Sequence, residues 1–157
     1  TIETDKGHLL VTSVLRKIDV PSILFFLGIL TAVSGLQVAG HLTDTARLLD
    51  AKLGSMYAIN SVIGLLSSVV DNVPLVAASM GMYPMTQYHV DHPFWELLAY
   101  CAGTGGSILI IGSAAGVATM GILGIDFLWY MRRMAFPAAL GYFGGIITFW
   151  LMWHHLH

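Results

Sequence analysis

Uncharged runs as long as a bilayer is thick recur through this chain, and two of them are interrupted at depth by groups that a plain membrane helix avoids. Pro21 to Gly40 supplies twenty residues without a charge, which at about 1.5 Å of rise each cover the roughly 30 Å of hydrocarbon. Leu53 to Val70 and Asn72 to Val90 follow, with Asp71 between them, and then Leu97 to Ile125, twenty-nine residues long. Lipid offers no hydrogen-bond partner, so such a chain must satisfy its backbone within itself, as helices do. Of the 157 residues, 56% are hydrophobic and only 10% charged, with a mean hydropathy of +0.75; a soluble domain carries about 25% charge.

The same composition excludes other classes. Seven Lys and Arg stand against nine Asp and Glu, so no basic field gathers nucleic acid, and no His/Cys spacing of the zinc type occurs. The single Cys101 has no partner for an intramolecular disulfide and reads as a packing residue. With neither an initiator Met nor a signal peptide, the chain is expected to be a piece of a longer one.

Taken in order, residues 1–19 form an amphipathic surface segment, with Leu9, Leu10, Val14, Leu15 and Ile18 at helical spacing. Residues 20–41 form a transmembrane helix started by Asp19 as N-cap and Pro21 in the first turn. Residues 42–54, with Leu42, Ala46, Leu49 and Leu53 on one face, form an interfacial helix. In 55–85, Asn72 and Pro74 act as a breaker at bilayer depth. The expected result is a re-entrant hairpin with its tip at 71–74, two half-length helices entering and leaving by one face. Such a turn must face protein or a wet cavity. Residues 94–122 are too long for a simple span, and the run Gly103-Thr104-Gly105-Gly106-Ser107 predicts a break at 103–107. A last transmembrane helix runs over 127–153, with Arg132 and Arg133 near its start and Trp150 and Trp153 as interfacial anchors.

The predicted fold is therefore all-α and integral to the membrane, residues 1–157 being one polytopic helical membrane region with a re-entrant helical hairpin and a discontinuous transmembrane helix, and the family resemblance given below makes it a transporter repeat. A carboxylate at bilayer depth costs several kcal/mol, roughly, and is rarely kept without a function. Asp71 is the expected cation ligand and proton acceptor, serving the two ions in turn; the alternative is that it only caps the second half-helix. Asn72 adds a carbonyl oxygen. Thr104 and Ser107 supply neutral oxygens suited to a hard alkali cation, and the backbone at Gly105 and Gly106 supplies unwound carbonyls. Glycine pairs in membrane helices are also packing devices, and Ser113 reads as packing. Asp19 is an N-cap or a relay at the cytoplasmic mouth. No cofactor and no covalent chemistry are required.

The strings "SVVDNVPLVAASMGMY" and "AYCAGTGGSILIIGSAAGVATMGI", with "IDVPSILFFLGIL" before and "IDFLWYMRRMAFPAALGYFGGI" after, resemble the C-terminal half of NhaD-type sodium/proton antiporters over nearly the whole chain. The resemblance implies the second of two inverted repeats around one central site, with the N-terminal repeat of the same transporter as partner, the lipid bilayer around it and a homodimer as a further assembly. It implies exchange of Na⁺, with Li⁺ as a second cargo, for H⁺ across a bacterial inner membrane, and it places Asp71, Asn72, Thr104, Ser107 and Asp19 at the site. The wider superfamily also holds anion carriers for arsenite or dicarboxylates, disfavoured here by the negative charge of Asp71. A non-transporting scaffold would have no reason to keep that charge.

Lys6, Arg16, Lys17, Arg132 and Arg133 fall on one side of the predicted spans and only Arg47 and Lys52 on the other, so the first side is cytoplasmic. Single cysteines replacing Lys52 and His89 should both label from outside, and one replacing Arg16 only from the cytoplasm; labelling of positions 52 and 89 from opposite faces would turn the hairpin into a full crossing.

Overall fold

The computed structural model describes residues 20–156, and the expected surface segment 1–19, Asp19 included, lies outside them. Eight helices and no strand occur among the described residues: α1 Val20–Val38, α2 His41–Leu53, α3 Met56–Leu66, α4 Asn72–Met82, α5 Pro93–Leu109, α6 Ala114–Leu123, α7 Phe127–Arg133 and α8 Ala135–Leu156. Two helical stretches are long and apolar enough to cross a membrane, Pro93–Leu123 with 31 residues and Ala135–His155 with 21. The described residues are thus all-helical, and the two long stretches agree in length and composition with membrane spans.

Local sequence explains most of the boundaries. The amphipathic α2 turns Leu42 and Ala46 inward and ends where Gly54, at φ 63°, donates its amide to the Asp50 carbonyl; a positive φ of this kind is the usual helix stop. Ser55 then caps α3, accepting from the Ala58 amide at 3.3 Å. His92 caps α5 by accepting from the Phe94 amide at 3.1 Å, with Pro93 in the first turn, where a missing N–H costs little.

α5 is the centre of the packing. One face, through Phe94 and Leu98, joins Ala46, Ile59, Ile63 and Tyr83 in a buried cluster. Leu97 and Cys101 join Tyr142 and Ile146 of α8 in a second cluster. α3 crosses α5 at contact distance, because a Cβ on Gly105 would lie 1.9 Å from the Gly64 carbonyl oxygen and one on Gly64 would lie 2.6 Å from that of Cys101. Two tyrosines fasten α8 to this pair: Tyr142 donates to the Ser61 carbonyl at 2.7 Å, and Tyr100 to the carbonyls of Gly141 and Tyr142 at 3.1 and 3.2 Å. α4 lies against α1, α2 and α5, so the two arms of the helical hairpin meet chiefly through α5 and the shared cluster.

Three expected boundaries move, each for a physical reason. The turn of the hairpin lies at Ser67–Asp71, and Asn72 to Pro74 begin α4: Pro74 is the third helical residue, where no intrahelical amide bond is due, so the supposed breaker starts a helix. Gly103 to Ser107 continue α5 without interruption, and the break comes at Ile110–Ser113. Gly105 and Gly106 serve close packing there instead of unwinding, while Gly103 faces open space. The expected helix 127–153 is divided at Met134 into α7 and α8. Pro137 cannot donate to the Arg133 carbonyl, and its ring would crowd that carbonyl, so α7 ends at Arg133.

The glycine crossing can be tested directly. Gly105→Ala in the full-length protein should lower the thermal midpoint in detergent, by an overpacking cost of roughly 1–3 kcal/mol. Gly103→Ala, with nothing within 4 Å of its added Cβ, should leave the midpoint unchanged or raise it; equal loss from both would refute the packing role.

Candidate functional site

The tip of the hairpin is a tight turn. Beyond α3 the amides of Ser68 and Val69 bond the carbonyls of Leu65 and Leu66 at 3.1 Å, and Val70 returns to Leu66 at 2.9 Å. Ser67 and Ser68 are both buried. The Ser67 hydroxyl donates to the Ala102 carbonyl of α5 at 2.7 Å, and that of Ser68 to its own helix end, Leu65, at 2.6 Å. Asp71 then caps α4, its Oδ1 accepting from the Val73 amide at 3.3 Å. Asp71 and Asn72 are half-buried.

The break of the long helix lies beside this turn. α5 stops at Leu109 because Ile110 takes a left-handed conformation, φ 60° and ψ −17°. A β-branched residue in that region stores about 1–3 kcal/mol of strain, a feature that concentrates at functional sites. Gly112 donates its amide to the Ser68 carbonyl at 2.9 Å, and a Cβ there would lie 1.7 Å from the Ser67 carbonyl oxygen, so only glycine fits against the tip. Ser113 caps α6, its Oγ accepting from the Gly116 amide at 3.1 Å.

Four helix ends thus gather at one place: the carbonyl ends of α3 and α5 and the amide ends of α4 and α6. The carbonyl ends carry partial negative charge and the amide ends partial positive charge. Of the residues expected at the site, Asp71 begins α4 from the tip, while Gly105 and Gly106 pack beneath it, Gly105 on Gly64 and Gly106 with an added Cβ 3.4 Å from the Gly112 carbonyl oxygen. Thr104, half-buried, donates to the Tyr100 carbonyl of its own helix at 2.7 Å. Ser107 is exposed, and its carbonyl, not its hydroxyl, is engaged, accepting a hydrogen bond from the Tyr130 phenol. Among the described residues no hydrogen bond joins Asp71 or Asn72 to Thr104 or Ser107, and no three His, Cys, Asp or Glu converge as a metal site. Sequence reasoning missed Ser67, Ser68 and Gly112, and took Ser113 for packing; the serine just before the small run "AAG" was the available N-cap signal.

The match to known proteins decides the family. The family model described as Citrate transporter matches residues 6–99. The chain belongs to the citrate transporter family. Within it, the chain is 50% identical over 99% of its length to "Sodium/proton antiporter 1" of Arabidopsis thaliana, of which it spans 27%. It is 46% identical to "Sodium/proton antiporter 2" of the same plant, over 94% of this chain and 35% of that protein. Against the Na⁺/H⁺ antiporter NhaD of Vibrio cholerae the identity is 37%, over 85% of this chain and 27% of that protein. No solved structure matches. The chain therefore spans about a quarter to a third of its curated relatives, and it belongs with membrane transporters, not enzymes.

In this citrate transporter family member the cap of α6 shapes the break. Ser113→Ala in the full-length transporter should cost about 0.5–2 kcal/mol of stability, and Ser113→Asn, an equally good cap, should restore it. A thermal midpoint unmoved by the alanine would show that α6 does not depend on the cap.

Proposed function

We propose that the chain is the C-terminal repeat of a sodium/proton antiporter, in which the hairpin α3–α4 is re-entrant and meets the broken helix α5–α6 at bilayer depth. The observation that carries this reading is the docking of the tip that leads into Asp71 on the helix break, through Gly112 and Ser68. The names of the Arabidopsis and Vibrio relatives support Na⁺ and H⁺ as the exchanged ions, with Li⁺ as a smaller ion of the same chemistry. Asp71 holds either a cation or a proton; Asn72 and Thr104 contribute neutral oxygens, and the carbonyl end of α5 from Ser107 onward completes the shell. Asp19 stands as the relay before the first span. The remaining part of the transporter supplies the second half of the site. Exchange of this kind serves Na⁺ and pH homeostasis.

The membrane itself is argued from similarity. A bacterial inner membrane fits the NhaD relatives, while the higher identity to the Arabidopsis pair favours a plant membrane. A second reading, carriage of an anion such as citrate, is favoured by the description of the matching family model; the amide ends of α4 and α6 would hold a carboxylate. Asp71 opposes it, because its carboxylate already caps α4 and repels an anion.

Asp71→Asn separates capping from transport, since Asn caps a helix as well as Asp does but carries no exchangeable proton. In the full-length transporter in proteoliposomes, this variant should abolish Na⁺-driven proton movement with its membrane abundance and thermal midpoint unchanged. Half-saturating Na⁺ of the unaltered protein should rise about tenfold for each pH unit of acidification wherever the proton occupies the shared carboxylate. Normal exchange by the variant would leave Asp71 a cap alone, and citrate uptake without Na⁺/H⁺ exchange would establish the anion reading.

A further inference from the structure

α5 ends at Leu109, so its last carbonyls have lost the amides that a continuing helix would supply. In a bilayer each unsatisfied group of this kind costs several kcal/mol, roughly. The Ser107 carbonyl is satisfied from outside its helix, by the phenol of Tyr130. That phenol is delivered by α7, seven residues long, which follows Gly124 at φ 62° and is separated from α8 by Met134. α6, between the break and α7, buries none of its residues. The Tyr130 hydroxyl thus ties α7, beyond the break, back to the carbonyl end of α5.

We propose that Tyr130 is a positioning residue for the transported cation: its hydroxyl occupies the Ser107 carbonyl while the site is empty and yields that carbonyl to the ion when the site fills. The inference rests on the Na⁺/H⁺ reading. A carbonyl at the negative end of a helix suits a hard cation, and the exchange of one partner for another keeps it satisfied in both states. Because Tyr130 belongs to α7, occupancy of the break is transmitted to the helix that carries Arg132 and Arg133. On this proposal Ser107 enters the site through its main-chain carbonyl and not through its hydroxyl.

Tyr130→Phe keeps the ring and removes the donor. In the full-length transporter in proteoliposomes, half-saturating Na⁺ should fall about three- to tenfold, the range that one exchanged hydrogen bond covers, while the maximal rate changes little. A tether with only a structural role would instead lower the maximal rate or the thermal midpoint and leave half-saturation in place. As a second measurement, a cysteine introduced by Arg132→Cys should label faster on addition of Na⁺, and in the Tyr130→Phe background it should label fast without Na⁺. Unchanged half-saturating Na⁺, or labelling indifferent to Na⁺, would overturn the proposal while leaving antiport intact. Absence of Na⁺/H⁺ exchange in the unaltered protein would remove the antiport reading itself, and this inference with it.

Discussion

The hydrogen bond from the Gly112 amide to the Ser68 carbonyl joins the turn between α3 and α4 to the break between α5 and α6, and much of the remaining arrangement follows from the need to make it. A turn and a helix break each leave backbone groups that lipid cannot satisfy. Placed apart, each would need its own polar lining; placed together, one supplies the donor and the other the acceptor. Their meeting requires α3 and α5 to run at contact distance, which the absence of side chains at Gly64, Gly105 and Gly112 permits. The small residues that look like a flexible stretch in the sequence are therefore the condition for rigidity at the site.

Tyr100 and Tyr142 extend that rigidity to α8. Both hydroxyls end on backbone carbonyls, of α8 and α3 respectively, and both rings lie against glycines: a Cβ on Gly64 would lie 2.2 Å from the Tyr142 hydroxyl and one on Gly145 1.9 Å from that of Tyr100. A rigid unit of α3, α5 and α8 results, on which α4 and α6 project from the tip and the break. α5 is the most enclosed helix of this unit, while α6 has no residue buried within the chain and lies outside it.

Much of this was legible in the sequence, because the signals were chemical ones with a single structural outcome. Charge-free runs gave helices, the amphipathic spacing of Leu42 and Ala46 gave α2 within a residue of its observed limits, and Asp71 marked the start of α4. The misplacements have a common origin. Pro74 and the glycines of 103–107 were read by what they do in an average helix interior, but Pro is harmless at a third helical position, and Gly is favoured wherever backbones touch. The true break at Ile110 left no readable sign, since a β-branched residue in a left-handed conformation is the choice sequence statistics argue against. Pro137, by contrast, carried a usable signal for the division at Met134.

Asp71 caps α4, and if it also holds the ion as proposed, the combination has a mechanical consequence. The same Oδ1 that accepts the Val73 amide belongs to the carboxylate that would hold the ion, and its negative charge suits the amide end of α4. A proton or a cation arriving there neutralises that charge and weakens its hold on the first turn of α4. Either ion would then loosen the same cap. Occupancy by one excludes the other because a single carboxylate cannot be neutralised twice, and the empty state is the one in which α4 is held most firmly to the tip. On this argument the helix end is the device that lets the protein distinguish a loaded site from an empty one, whichever of the two ions has loaded it.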